Sequence, residues 1–154
     1  MPGDDALKVS DQQTKEHIMI ARDIMTPQPI FAESTTPIQE VIALLHEIDV
    51  RHLPIVHRGE LVGIISDRDL KVLTEVVFFE DEGSEALADH LAEPISTLMQ
   101  SGVVYVDAED ELSEVVELMI DHRVGAIPVV QSNRGGLELV GIISYIDLLK
   151  EASF

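Results

Sequence analysis

LVGIISDRDL (Leu61–Leu70) and LVGIISYIDL (Leu139–Leu148) are two copies of one stretch, identical at eight of ten positions. A shared strand or helix preference explains the apolar matches, but it does not explain Gly, Ser and Asp recurring in one register. Upstream, a shift of 74 residues places Pro54 on Pro128, and after a four-residue insertion the shift becomes 78. The chain therefore contains an internal repeat, a feature that decides the fold before any single element does.

Each copy combines short β-branched stretches with longer stretches of helical spacing. The first copy predicts a strand, a helix, two strands joined by a hairpin turn and a closing helix, at residues 29–33, from 37, 53–56, 61–65 and 67–79. The second copy repeats this order at residues 103–107, from 111 after a cap at Asp110, 126–130, 137–143 and from 145. The insertion falls in the predicted turn 131–136, where extra residues are tolerated. The sequence therefore predicts an α+β fold of two βαββα units.

The composition excludes several classes of protein. The chain has 154 residues, enough for one compact domain or two small ones. Its formal net charge of −19 disfavours nucleic acid and anionic membranes as partners, because like charges repel. It has no Cys, which excludes disulfide scaffolds, thiolate metal sites and Cys nucleophiles. Because no apolar run reaches the roughly 18 residues of a membrane span and no signal-peptide pattern is present, we expect a soluble cytoplasmic protein.

Changes in composition divide the chain into four parts. We expect a polar tail at residues 1–17, a first repeat at 18–79, an acidic linker at 80–93 and a second repeat at 94–152. LKVLTEVVFF (Leu70–Phe79) has seven apolar residues in ten, and they occupy more than one helix face. An apolar surface of this size is typical of a subunit contact, so we expect a homodimer. Burial within the pair of repeats is the alternative.

The order of these motifs is similar to that in a tandem pair of cystathionine-β-synthase (CBS) domains, an arrangement called a Bateman module. The resemblance rests on DIMT (Asp23–Thr26) with Leu98-Met99, on VRHLP (Val50–Pro54) with VGAIP (Val124–Pro128), and on both GIIS-x-x-D blocks, and it extends over about residues 18–152. It implies two βαββα units packed with pseudo-two-fold symmetry, with two clefts that often bind adenosine-containing ligands. It also implies a regulatory protein that is not an enzyme.

Ser66 with Asp69, and Ser144 with Asp147, stand where a strand turns into a helix in each copy. Their spacing is that of a capping box, in which the Ser accepts from the third helical N–H and the acidic residue accepts from the cap N–H. The same helix start offers free N–H groups to a phosphate, and an Asp can accept two hydrogen bonds from a ribose diol. The resemblance implies that at least one of the two Asp residues binds a ribose.

Basic residues suited to a phosphate are concentrated in the first copy. Arg51, His52 and Arg68 lie within one short stretch. Arg51-His52 resembles a basic pair that contacts phosphates in related proteins, and the second copy has Gly125-Ala126 in its place. This difference predicts unequal clefts. Solvation of the surface, or pairing with nearby Asp residues, is the alternative role of these cations.

The resemblance places an adenine between the first strand of each repeat and the segment before its proline. The expected positions are Thr26 and Pro29 with His52 and Pro54 in one cleft, and Val103 with Ala126 and Pro128 in the other. Apolar walls with a few backbone groups suit the recognition of a base. Ordinary core packing is the alternative for these residues.

We expect the ligand to be AMP, ADP or ATP, or alternatively S-adenosylmethionine, with no metal required and with an unidentified regulated protein as a further partner. The sequence contains no complete enzyme signature. His46-Glu47 begins like a zinc-protease helix, but Val50 stands where the second His is required. Two other functions stay open. One is a ligand-free dimerisation scaffold, and the other is a divalent-cation sensor that uses the acidic stretch 107–117.

Overall fold

The computed structural model describes residues 18–48, 50–71, 84–99, 102–133 and 135–152. The helices are α1 (Ala21–Ile24), α2 (Ile38–Ile48), α3 (residues 67–71), α4 (Ser84–Leu91), α5 (Leu112–His122) and α6 (Tyr145–Glu151), with a 3₁₀ turn at Ile95–Leu98. The strands are β1 (Thr26–Pro27), β2 (Ala32–Glu33), β3 (His52–His57), β4 (Glu60–Ser66), β5 (Val106–Asp107), β6 (Ala126–Asn133) and β7 (Gly136–Ser144). The expected tail and most of the stretch 70–79, on which the homodimer prediction rests, lie outside the described residues.

One mixed sheet joins the two repeats. The strand order is β2-β3-β4-β7-β6-β5, and β1 also pairs with β7. Each repeat contributes an antiparallel hairpin (β3–β4 or β6–β7) and a short parallel strand outside it. The hairpins meet where Glu60 of β4 pairs with Glu138 of β7. The α+β fold of two similar units, expected from the sequence, is confirmed.

The two hairpins share register and irregularity. Pro54 pairs with Ile64 in the first hairpin, and Pro128 pairs with Ile142 in the second. The register shifts by one residue between Ile55 and Val56 in the first hairpin and between Val129 and Val130 in the second, as at a β-bulge. The repeat in the sequence is therefore a repeat of backbone geometry, and equivalent residues can be compared directly.

The two hairpins differ in the length of their strands. Arg58 and Gly59 have φ angles of 51° and 81°, the paired positive values that a two-residue type I′ turn requires. The second hairpin was expected to turn over residues 131–136, but this is wrong, because Gln131 pairs with Glu138 and the ladder continues to Asn133 and Gly136. The four inserted residues lengthen the two strands. The strand expected at residues 103–107 is likewise shorter, at Val106–Asp107.

Each repeat receives the N-terminal segment of the other. Ala21 is fully buried in the core of the second repeat, with Val115 and Ile127, although it lies at the start of the first. Ile95 is fully buried in the core of the first repeat, with Leu53. The segments around α1 and the 3₁₀ turn are thus exchanged, and neither core is complete within one copy of the repeat.

Matching main-chain hydrogen bonds hold the exchanged segments. Ala21 donates its N–H to Asp110 O at 2.8 Å, and Ile95 donates its N–H to Thr36 O at 2.8 Å. On the α1 side, Arg22 Nη2 also forms an ion pair with Glu109 Oε1 at 2.7 Å. Because these bonds join distant parts of the chain, we expect the two repeats to unfold together.

A methionine covers a strand glycine in each repeat. Met25 lies over Gly141 of β7, and Met99 lies over Gly63 of β4. A Cβ at Gly141 would lie 2.8 Å from Met25 Cγ and 3.0 Å from Met25 Cβ, whereas a Cβ at Gly63 would lie 2.7 Å from Met99 Sδ and 3.3 Å from Met99 Cγ. The clash at Gly141 therefore involves atoms closer to the backbone, which have less freedom to move.

We expect Gly141→Ala to lower the free energy of unfolding by about 1–3 kcal/mol, because an added methyl overpacks this contact. Gly63→Ala is the matched variant, and its cost should be smaller, since rotation of the Met99 side chain relieves the contact. Urea denaturation of the two variants measures both values. Equal costs, or no cost at Gly141, would contradict this packing.

Candidate ligand-binding site

The two Ser-x-x-Asp motifs form capping boxes. Ser66 Oγ accepts a hydrogen bond from the Asp69 N–H at 3.0 Å, and Asp69 Oδ2 accepts one from the Ser66 N–H at 3.0 Å. In the second repeat, Ser144 Oγ accepts from the Asp147 N–H at 3.3 Å, and Asp147 Oδ2 accepts from the Ser144 N–H at 2.8 Å. Only Oδ2 of each carboxylate enters these backbone contacts, so each box is compatible with a further contact at Oδ1.

A second hydrogen bond fixes each strand-to-helix turn against the neighbouring strand. Asp67 donates its N–H to Arg51 O at 2.8 Å, and Tyr145 donates its N–H to Gly125 O at 3.0 Å. The capping Ser and Asp are consequently held at the place where the hairpin strands begin and end. Hydrogen bonds to the backbone and to Ser66 therefore hold Asp69 in place.

A cleft of about 720 Å³ opens beside Asp69, and residues of both repeats line it. We call it the Asp69 cleft. The first repeat contributes the end of β4 and the start of α3, namely Gly63, Ile64, Ile65, Arg68, Asp69 and Leu70. The exchanged segment and the second repeat contribute the remaining wall, namely Leu98, Met99, Gly102, Val103, Val104, Val124 and Ala126. The walls are mainly apolar, and Arg68 and Asp69 supply the charged groups.

The Asp69 cleft brings together four of the residues predicted from the sequence: Arg68 and Asp69 from one repeat, with Val103 and Ala126 from the other. Ser66 lies directly beside it as the capping partner of Asp69. The cleft thus combines the expected ribose and phosphate groups of the first repeat with the expected base-binding positions of the second.

The other predicted positions are not lining residues of the Asp69 cleft. Thr26 pairs with Ile142 as part of β1, and the half-buried Pro29 follows that strand. Arg51 is exposed. Pro54 and Pro128 are buried at equivalent places inside β3 and β6, whereas Ser144 and Asp147 are half-buried at the start of α6.

His52 lies at the contact between the repeats. A Cβ placed on Gly125 would lie 3.6 Å from His52 Cε1 and 3.7 Å from Tyr145 Cδ1, so both rings border this glycine. Burial lowers the pKa of His52, while the negative charges of Asp67 and Asp69 partly oppose that shift and Arg51 adds to it. His52 is therefore held mainly in its neutral form at neutral pH.

The depressed pKa of His52 predicts a pH-dependent stability. Below the ordinary histidine pKa of about 6.5, the unfolded chain takes up this proton more readily than the folded one, so the stability that His52 contributes is lost as the pH falls. We expect His52→Gln to reduce the acid-dependent loss. Urea denaturation of both proteins between pH 7.5 and 5.5 tests this, since the difference between them cancels the titration of the many carboxylates. Parallel curves would contradict it.

Several lining residues were missed by the sequence reasoning. Leu98-Met99 contributes to the family resemblance but was not expected to line a cleft. The two residues form part of the wall because the exchanged segment returns to the first repeat. Gly102 has a φ of 86°, and Gln28, 74 residues earlier, has a φ of 48°. A left-handed residue after the first motif is therefore a shared element of the repeat, and the Ser-Gly pair at 101–102 is its only sequence signal.

The described residues give no support to a metal site. Among them, no group of three or more His, Asp or Glu side chains is placed to hold a metal ion, and this includes the acidic stretch 107–117. Asp107 there is engaged internally, accepting from the Glu109 N–H at 3.0 Å and from Ser132 Oγ at 3.2 Å.

In the part of the chain that the structure describes, no helix is both long and apolar enough to span a bilayer.

The chain is similar to proteins that contain CBS domains. CBS domain-containing protein YhcV of Bacillus subtilis is 28% identical over 127 residues, which are 82% of this chain and 81% of that protein. The CBS domain pair of protein MJ0100, solved in complex with 5′-methylthioadenosine and S-adenosyl-L-methionine, is 28% identical with a TM-score of 0.65, and the match covers 86% of this chain and 94% of that one.

Some relatives are longer enzymes, and this chain covers only part of their length. The L-aspartate semialdehyde sulfurtransferase of Methanocaldococcus jannaschii is 28% identical over 142 residues, which are 92% of this chain and 25% of that enzyme. The family pattern described as CBS domain matches residues 21–73 and again residues 95–153. This chain therefore belongs to the CBS domain family, of which it carries a tandem pair.

Proposed function

We propose that this protein is a non-catalytic regulatory module that binds an adenosine-containing ligand in the Asp69 cleft. The observation that carries the proposal is the cleft itself, in which Arg68 and Asp69 of one repeat oppose Val103 and Ala126 of the other. Its volume of about 720 Å³ suits a ligand of nucleotide size. The MJ0100 pair, 28% identical, supports the class of ligand, since it was solved with two adenosine derivatives.

The chemistry of the cleft matches the parts of a nucleoside. The apolar side chains of Val103, Val104 and Ala126 offer surface to a base. Asp69 is exposed and has one carboxylate oxygen outside its capping box, and this oxygen suits a ribose hydroxyl. Arg68, one residue away, suits an anionic substituent on the ribose.

The position of the cleft supports a regulatory role. Its walls come from both repeats, so a ligand that contacts both walls favours one relative arrangement of the repeats. Such a ligand shifts the equilibrium between arrangements by the difference in its affinity for them. We propose that this change is what an unidentified partner protein detects.

A melting-temperature screen tests the proposed function. AMP, ADP, ATP, S-adenosylmethionine, 5′-methylthioadenosine and NAD are compared with CMP and inorganic phosphate. A ligand at 100 times its dissociation constant should stabilise the fold by about 2.7 kcal/mol. We expect at least one adenosine compound to raise the melting temperature, and CMP and phosphate to leave it unchanged.

Flat responses to every adenosine compound would contradict the proposal and favour a ligand-free interaction scaffold. Stabilisation by Mg²⁺ or Ca²⁺ without nucleotide would instead favour a cation sensor, also against the proposal. The variant Asp69→Ala separates a response at the cleft from a non-specific one, because only the former decreases when the carboxylate is removed.

A further inference from the structure

The two-fold relation of the repeats gives each wall residue of the Asp69 cleft an equivalent beside Asp147. We call the equivalent positions the Asp147 cleft. They include Met25, Gln28, Pro29, His52, Ile146 and Asp147. Backbone contacts beside the two clefts support this relation, since the hydrogen bond from Asp67 to Arg51 has its counterpart from Tyr145 to Gly125. Differences between equivalent side chains therefore report differences between the two clefts.

The largest difference concerns His52. It occupies, in the Asp147 cleft, the place that Ala126 holds in the Asp69 cleft, 74 residues later. The His52 ring is half-buried and lies against the second repeat, bordering Gly125 together with the Tyr145 ring. Where the Asp69 cleft has a methyl group, the Asp147 cleft thus has an imidazole.

A second difference concerns the left-handed residue at the cleft wall. Gly102 of the Asp69 cleft has a φ of 86° and no side chain, whereas its equivalent Gln28 has a φ of 48° and an exposed side chain. The segment that carries Gln28 is tied to β7, because the Gln28 N–H donates to Val140 O at 3.2 Å. The Gln28 side chain therefore adds bulk to a wall whose backbone is held in place.

The cation of the Asp69 cleft is also replaced in the Asp147 cleft. Arg68 lines the Asp69 cleft, and the equivalent residue beside Asp147 is Ile146. Ile146 is 46% exposed and offers no charge to a phosphate. At neutral pH, His52 does not restore that charge, since burial holds its pKa down. Arg51, the other member of the basic pair, is exposed, and its equivalent Gly125 is not a lining residue of the Asp69 cleft, so we do not count Arg51 in the wall of the Asp147 cleft.

We infer that each chain binds one adenosine ligand bearing a 5′-phosphate, in the Asp69 cleft, and that His52 keeps the Asp147 cleft closed to a second one. This inference rests on the proposed function. Three equivalent pairs support it together: a smaller side chain (Ala126 against His52), an absent side chain (Gly102 against Gln28) and a cation (Arg68 against Ile146) all favour the Asp69 cleft.

Calorimetric titration of the full chain with AMP, and separately with adenosine, tests the inference. The wild type should bind one AMP per chain. Arg68→Ile should weaken AMP binding by about tenfold while leaving adenosine affinity unchanged, because only AMP offers the phosphate. Asp147→Ala should leave the stoichiometry at one, whereas Asp69→Ala should lower the affinity of the single site.

An exchange of the two wall residues provides the matched test of His52. His52→Ala should reveal a second site for adenosine, which needs no cation, and Ala126→His should weaken the first site. Melting curves show whether each variant folds. If Ala126→His does not fold, the stoichiometry of His52→Ala decides alone.

Two equal AMP sites in the wild type would overturn the inference and leave the proposed function intact. A single site that is lost in Asp147→Ala would overturn both, because it would place the ligand beside Asp147 and not in the Asp69 cleft. An unchanged single site in a folded His52→Ala protein would overturn the role of His52. Failure of every adenosine compound to bind would defeat the proposed function as well, so the two failures are distinguishable.

Discussion

Ile95→Ala should lower the free energy of unfolding by about 2–5 kcal/mol, one of the largest effects that a single substitution in this chain can have. Ile95 is fully buried, and it packs in the core of the first repeat with Leu53 and Ile55. The cost combines the lost transfer free energy of the removed methyl groups with the cavity that they leave. Urea denaturation, monitored by circular dichroism, measures it.

Two further variants of the same segment sharpen this prediction. Ser96 is the exposed neighbour of Ile95, so Ser96→Ala should change the stability by no more than about 0.5 kcal/mol. Ile95→Val removes one methylene and should cost about 0.5–1.5 kcal/mol. A cost below about 1 kcal/mol for Ile95→Ala would mean that the exchanged segment does not complete the first core.

Amide hydrogen exchange provides a separate test of whether the segment around Ile95 belongs to the first core. Because Ile95 follows the linker in sequence but lies in the first core, Ile95→Ala should lower protection in β3 and β4 more than local disorder near residue 95 would. Loss of protection confined to residues 94–99 would contradict the exchanged arrangement.

Asp69→Ala should weaken the binding of the adenosine ligand by about tenfold or more, since a hydrogen bond to a charged acceptor contributes roughly 1.5–3 kcal/mol. Asp69 is the acidic residue that lines the cleft, and only one of its oxygens serves the capping box. Isothermal titration calorimetry with the ligand found in the melting screen measures the change in dissociation constant.

Asp147→Ala is the matched variant for this prediction. It removes an equivalent carboxylate and an equivalent capping box, so the loss of stability in the two variants should be similar. If both variants lost the ligand equally, the change would stem from the fold and not from the cleft. If neither lost it, Asp69 would not contact the ribose.

Local patterns in the sequence were enough to predict much of the fold. The stretches rich in β-branched residues at 53–56 and 61–65 predict the first hairpin, and Gly59 with Arg58 forms the tight turn between the strands. The Ser-x-x-Asp spacing predicts both capping boxes, which the structure confirms. These features depend on contacts within a few residues, and residue type and spacing determine such contacts directly.

The arrangement that builds the cleft was not predictable in the same way. Ala21 and Ile95 have no local feature that assigns them to the opposite core, because that choice depends on packing between parts of the chain about 90 residues apart. The residues that close the Asp69 cleft, including Leu98 and Met99, follow from that exchange. The second hairpin was mispredicted for a related reason, since a polar insertion extends a ladder as readily as it extends a turn.

The sequence did locate the charged end of the cleft. Arg68 and Asp69 belong to the Ser-x-x-Asp motif, where a strand turns into a helix in both copies, and the structure places both residues in the cleft wall. Sequence spacing alone did not show that they face Val103 and Ala126 of the other repeat. Whether these residues hold a ligand stays a proposal that binding measurements decide.

A crystal structure of the protein grown with saturating AMP tests the central claim most directly. The account predicts one AMP in each chain, with a ribose hydroxyl on Asp69, the phosphate near Arg68 and the base between Val103 and Ala126. An AMP bound beside Asp147 instead, or an Asp69 cleft that stays empty at saturating AMP, would contradict it.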